Sequence, residues 1–149
     1  MRILFVCHGN ICRSPMAEYI MKELVREAGR QNDFYIASAA TSTEEIGNSV
    51  YPPVQRLLAA RGIDCREKRA VQVCATDYAR YDHIVCMDRN NLRNIRRLFP
   101  ADPQKKISLL MDWTDTPHDV ADPWYTRDFS AAEQDVEVGC AALLAQLSR

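Results

Sequence analysis

The chain has 149 residues, of which 47% are apolar and 26% charged, and a formal net charge of −1. That length suits one domain, residues 1–149, with a single sizeable core, and the near-neutral balance speaks against a nucleic-acid binder. No run of eighteen apolar residues occurs and no charged-then-apolar leader precedes the first strand pattern, so a cytoplasmic protein without membrane insertion is expected.

Residues 2–7 read as a buried strand, apolar on both faces. A short loop follows, in which Gly9 permits the tight turn, and Ser14 with Pro15 at the first helical position marks a helix start. Residues 15–29 read as an amphipathic helix with Met16, Ala17, Ile20, Met21, Leu24 and Val25 on one stripe, ended by Gly29. Phe34 to Ala40 is a second strand, and residues 41–50 form a polar loop. Pro52-Pro53 opens a helix that closes near Gly62. Residues 75–80 form a short helix, and His83 to Met87 a third strand. Residues 89–98 form a helix stopped before Pro100. Its arginines 89, 93, 96 and 97 read as a solvated face. Ile107 to Leu110 is a fourth strand. Residues 112–128 read as a long loop of functional kind, because two tryptophans and a tyrosine argue against disorder. The last helix carries Phe129, Ala132, Val136, Cys140, Leu143 and Leu147 on one face. Strands alternating with helices predict a single α/β domain, with a parallel sheet and helices on both faces. Such sheets bind ligands beyond the carboxyl ends of their strands. That edge gathers the loop after strand one with residues 41–50 and 112–128.

Chemistry concentrates in Cys7-His8-Gly9-Asn10-Ile11-Cys12-Arg13-Ser14, between the first strand and the first helix. A Cys-x5-Arg spacing alone arises about 0.6 times by chance in a chain with this many cysteines and arginines. A second pair, Cys74 and Arg80, does occur. It has no glycine between its members and carries Asp77, which would repel a phosphate, so it is read as coincidence. Cys7 instead sits behind an apolar strand, in a Gly-containing loop that leads into a helix N-terminus. Loop N–H groups and the helix dipole make that an anion site. Helix N-termini and neighbouring arginines lower thiol pKa values to roughly 3.5–7.5, so Cys7 is read as the nucleophile. Arg13 can grip two phosphate oxygens in a fork that lysine cannot copy. The backbone N–H groups from His8 to Arg13 would supply the other donors. A phenolate leaving group needs a proton, and Asp112, Asp115, Asp119 and Asp122 are all candidates on the residues alone. The six cysteines (7, 12, 65, 74, 86 and 140) lack both disulfide-framework and CxxC spacing, so no structural metal is expected, and Cys65, Cys74, Cys86 and Cys140 read as structural residues of the core.

Val6 to Glu18 together with Asp122-Pro123-Trp124-Tyr125 resembles the low-molecular-weight protein tyrosine phosphatases. The Ser38-Ala39-Ala40 stretch and Cys86-Met87-Asp88 fit as well. The resemblance implies a four-stranded parallel sheet and hydrolysis of phosphotyrosine through a cysteinyl-phosphate. The substrates would be tyrosine-phosphorylated proteins, and the enzyme a monomer without metal or organic cofactor. It selects Asp122 as general acid and makes Asn10 a brace of the loop. It makes Ser14 the hydroxyl that stabilises the leaving thiolate, Cys12 the disulfide partner of an oxidised Cys7, and Trp124 and Tyr125 cleft walls. The chain departs from the family where many relatives carry an aromatic and it has Glu44-Glu45, which would place Glu44 in an acidic cleft wall and change peptide preference. It departs again where many have a histidine bracing the loop asparagine and it has Lys68. An arsenate reductase on the same fold would need a paired downstream dithiol, which Cys65, Cys74 and Cys86 do not provide. Protein-arginine phosphatases of this type carry Thr where this chain has Ile11. A phosphotyrosine-binding module or redox sensor would not need the full nucleophile, arginine and acid set.

Overall fold

The computed structural model describes residues 1–149. Its elements are β1 (Arg2–Cys7), α1 (Arg13–Glu27), β2 (Tyr35–Ala40), α2 (Pro52–Ala60), α3 (Asp77–Arg80), β3 (His83–Cys86), α4 (Arg89–Leu98), β4 (Ile107–Leu109), α5 (Pro123–Thr126) and α6 (Phe129–Leu147). A 3₁₀ turn over Leu110–Trp113 follows β4. The four strands form one parallel sheet in the order β2-β1-β3-β4. β1 is central, and the connections from it and from β3 run to opposite sides. The crevice of such a sheet lies where the strand order reverses, at the carboxyl end of β1.

Side chains alternate across β1 with period two. Ile3, Phe5 and Cys7 enter the larger core, beneath α1 and α6, with Met16, Ile20, Val136 and Leu143. Leu4 and Val6 enter the second core with Ile84, Cys86, Ile95 and Phe99, under α4. This explains why β1 reads as an unbroken apolar run, and it points the Cys7 side chain towards α1. The stripe predicted on the last helix is buried from Ala132 to Leu143, with Phe129 and Leu147 half-buried at its ends.

Several boundaries move. The first helix begins at Arg13, with Cys12 at its N-cap and no side-chain cap. Pro15 is tolerated there because the first-turn N–H groups lack helical partners in any case. The long loop over 112–128 is shorter than expected: it contains part of the 3₁₀ turn and the single turn α5. Cys65, Cys86 and Cys140 are buried, but Cys74 is exposed and so is no core residue. Arginines 89, 93, 96 and 97 all face solvent, as expected.

α6 approaches the 3₁₀ turn at a glycine. A Cβ on Gly139 would lie 2.6 Å from Leu110 Cγ, and Leu110 is fully buried. Replacing an interior helical glycine by alanine ordinarily stabilises a helix by about 1 kcal/mol. Here the clash should win, so Gly139→Ala is expected to destabilise the protein by about 1–3 kcal/mol. Thermal unfolding measures this, and a raised midpoint would mean that Leu110 can withdraw.

Candidate active site

The loop over residues 8–12 leaves β1 at its carboxyl end and runs into α1. Its turn depends on Asn10, with φ 59°, and not on Gly9, which lies outside the left-handed region. Asparagine tolerates that region because its short polar side chain bonds locally. Asn10 Nδ2 donates to Ser14 Oγ at 2.8 Å and to Ser38 Oγ at 2.9 Å. Its Oδ1 accepts from the Val71 N–H at 3.1 Å. Gly9 serves close packing: a Cβ there would meet Glu45 Cγ at 3.3 Å.

Cys7 is 3% exposed. Its Sγ lies 3.0 Å from Ser14 Oγ and accepts from the Ser14 N–H at 3.4 Å. Ser14 Oγ already accepts from Asn10, so its proton is free to point at the sulfur. Ser14 is therefore no helix cap but a donor aimed at Cys7. No protein acceptor receives the backbone N–H groups of residues 8–13. Unpaired N–H groups are rare in buried backbone. Here six in succession, half of them in buried residues, lead from Cys7 to a helix N-terminus, which is the make-up of an anion nest.

Arg13 is buried. Its Nη1 donates to the Val120 carbonyl at 2.7 Å and pairs with Asp88 Oδ2 at 2.8 Å, and Nη2 reaches Asp122 Oδ2 at 3.5 Å. Burial works against the cation, but Cys7 and then Asp88 outweigh it and hold Arg13 above its ordinary value. Nε has no protein partner, which leaves the Nε–Nη2 edge for a bidentate ligand. Asp122 caps α5, its Oδ1 accepting from the Trp124 N–H at 3.0 Å. The segment that carries it is pinned at Val120, whose N–H donates to the Met87 carbonyl at 3.0 Å. It is tied again at His118, which lies 3.1 Å from Asp135 on α6. The Thr116 carbonyl and then Asp135 raise the His118 pKa.

One cleft of about 360 Å³ is lined by Cys7, His8, Gly9, Ile11, Cys12, Arg13, Glu44, Glu45, Asp122, Trp124 and Tyr125. Every residue expected at the site is there except Asn10 and Ser14, which lie buried behind the loop. A roomier depression of about 580 Å³ along α1 and β2 holds Glu18, Lys22 and Lys68 but no thiol. Cys12 faces the same cleft as Cys7, and burial, then the neighbouring Cys7, push its thiol up strongly. At neutral pH Cys12 therefore stays protonated and does not compete as a nucleophile. The coincidental pair is dispersed: Arg80 turns to Asp77, 4.0 Å away, and Cys74 Sγ contacts Thr76.

Three functional contacts escaped sequence reasoning. Asp88 anchors Arg13, and its only local signal is a helix-capping Asp88-x-x-Asn91 box directly after a strand. Tyr51 donates its N–H to the Ile11 carbonyl at 2.8 Å, and its ring lies 5.0 Å from that of Trp124, joining loop, α2 and α5. Glu18 accepts from Ser38 Oγ at 2.6 Å and so supports the oxygen that braces Asn10. Lys68 does not replace the absent histidine at Asn10. It donates to the Ser38 carbonyl at 2.9 Å and lies 3.7 Å from Glu18. Asn10 keeps a full set of partners without it.

Residues 2–149 match the family model described as low molecular weight phosphotyrosine protein phosphatase. The chain is 35% identical to the low molecular weight protein-tyrosine-phosphatase YfkJ of Bacillus subtilis, covering 99% of this chain and 96% of that one. It is 38% identical to the low molecular weight phosphotyrosine protein phosphatase of Gallus gallus, covering 95% and 92%. The crystal structure of YfkJ superposes with a TM-score of 0.94 over 99% of this chain and 94% of that one. A Drosophila arginine phosphatase superposes with a TM-score of 0.91 at 30% identity, covering 100% and 99%.

Proposed function

This chain belongs to the low molecular weight phosphotyrosine protein phosphatase family, and we propose that Cys7, Arg13 and Asp122 carry its reaction. It is a protein tyrosine phosphatase, a hydrolase of phosphotyrosine in protein substrates, and the reaction assigned to these residues runs through a cysteinyl-phosphate. The observation that supports the residue assignment is the run of unpartnered N–H groups over residues 8–13, between Cys7 and the start of α1, with the next N–H, that of Ser14, donating to Cys7 Sγ at 3.4 Å. Such donors act where charge develops on the equatorial oxygens of a transferring phosphoryl group.

The phosphate enters the nest and the Nε–Nη2 edge of Arg13 takes two of its oxygens. The Cys7 thiolate attacks phosphorus in line with the phenolic oxygen. As that P–O bond breaks, Asp122 gives its proton to the departing phenolate, leaving the dephosphorylated tyrosine side chain of the substrate and a cysteinyl-phosphate. In the second step the Asp122 carboxylate takes a proton from water as the water attacks phosphorus. The S–P bond breaks, inorganic phosphate leaves, and the Ser14 hydroxyl donates a hydrogen bond to the thiolate that keeps the electron pair. Trp124 and Tyr125 offer aromatic surface to the phenyl ring. Cys12, in the same cleft, is the partner for an oxidised Cys7.

We further propose that residues 1–149 act as one phosphatase domain, monomeric and cytoplasmic. No helix of the chain is long and apolar enough to cross a membrane. The decisive experiment is phosphate release from one peptide bearing phosphotyrosine, phosphoserine or phosphoarginine, with chelator and reductant present. Turnover of the phosphotyrosine peptide is expected. Turnover of phosphoarginine alone would overturn the substrate assignment, and no turnover of any peptide would overturn the mechanism.

A further inference from the structure

Two carboxylates stand at the mouth of the cleft, and no lysine or arginine neutralises either of them. Glu44 and Glu45 both line the cavity that holds Cys7 and Arg13. Glu44 accepts from His8 Nε2 at 3.0 Å, and Glu45 from Asn48 Nδ2 at 2.6 Å. Neither forms an ion pair with a lysine or arginine. Their positions are fixed from both sides of the 41–50 segment. The Thr41 and Ser42 N–H groups donate to the Cys7 and His8 carbonyls at 3.0 and 3.1 Å. Beyond the glutamates, the Gly47 N–H donates to the Ala70 carbonyl at 2.9 Å. The Glu45 side chain also lies against Gly9, at the contact a Cβ there would crowd.

The cationic groups lining this cleft are Arg13 and, when protonated, His8. A bound phosphate dianion engages Arg13 and the N–H nest at the cleft floor. The mouth then presents two fixed carboxylates to whatever polypeptide flanks the phosphotyrosine. An acidic flank meets like charge there, while a basic flank is drawn to the same groups. On this basis, which rests on the phosphotyrosine assignment above, we propose that Glu44 and Glu45 determine specificity: they select phosphotyrosine flanked by lysine or arginine.

Two phosphotyrosine peptides that differ only in lysine or glutamate on either side of the phosphotyrosine test this through kcat/KM at low salt. The lysine peptide is expected to be favoured by about five- to tenfold. The ratio should fall towards one in the E44Q/E45Q double variant and in about 0.5 M salt, where exposed charges are screened. It should invert in E44K/E45K. The isosteric glutamine pair, checked by thermal unfolding, separates charge from folding. Equal use of the two peptides by the wild type, or a preference that persists in E44Q/E45Q, would overturn the proposal. Hydrolysis of p-nitrophenyl phosphate by the same preparation distinguishes the two levels. Turnover without peptide preference removes only the role of the rim, whereas no turnover of peptide or aryl phosphate removes the phosphatase mechanism and the rim proposal with it.

Discussion

In the Cys7→Ser variant, aryl phosphate turnover is expected to fall by about 10⁴-fold or more while phosphopeptide binding persists. The substitution exchanges one buried atom and leaves the N–H nest untouched. Arg13 keeps its anchors at Asp88 and Val120, so the ground-state phosphate still finds its donors. The loss falls on bond formation. A serine hydroxyl ionises far less readily than a thiol and needs a general base, and none is in place. The His8 ring bonds Glu44 at the rim, and Asp122 carries its proton in this step to serve the leaving group, so it takes none from the nucleophile. The expected pattern is a collapsed kcat with a dissociation constant for the phosphotyrosine peptide within a few-fold of wild type. Calorimetric titration with that peptide, beside steady-state turnover, measures both. Residual turnover near the wild-type rate would show that Cys7 is not the nucleophile. Loss of binding together with turnover would place the sulfur in ground-state recognition instead.

The sequence carried the parts of this site that local physics determines. An apolar run on both faces marks a central strand, and a loop entering an apolar-striped helix marks an anion site. Local physics left four acids open, and only the family resemblance of the Asp-Pro-aromatic run singled out Asp122. What the sequence did not carry are contacts made across the sheet. Arg13 meets Asp88 only because β1 and β3 are neighbours in parallel register, with Val6 opposite Cys86. Ser38 reaches Asn10 because Cys7 lies opposite Ala40 at the end of β2. Even local rules misassigned two roles. Ser14-Pro15 has the form of a cap and first turn, yet the serine spends its hydroxyl on Cys7, and the helix starts one residue before it. Gly9 has the form of the turn residue, yet Asn10 takes the left-handed conformation because Ser14, Ser38 and the Val71 N–H satisfy its amide. Both errors have one origin: a buried polar group answers to its hydrogen-bond partners before it answers to positional preference.

Replacing Asp122 by asparagine should lower turnover of phosphotyrosine by about 10²–10³-fold and that of a strongly activated aryl phosphate much less. Asparagine keeps an oxygen for the Trp124 N–H, so the cap on α5 is preserved. Arg13 loses only its longest contact, at 3.5 Å, and retains Asp88 at 2.8 Å. The phosphate site is therefore intact, and what disappears is a proton donor facing the leaving group. Tyrosine leaves poorly as a phenolate, since its ordinary pKa is about 10, and so depends on that proton. An acidic nitrophenol departs unaided, and its first step should be nearly indifferent to the change. Deprotonation of the attacking water still suffers, so the activated substrate should show a burst of phenol release followed by a slow steady state. Rapid-mixing kinetics with two leaving groups of different acidity resolve the two steps. Equal losses for both leaving groups, without a burst, would mean that Asp122 orients Arg13 and is not the acid. The search would then pass to Asp119 and Asp115, which lie on the same segment and face solvent.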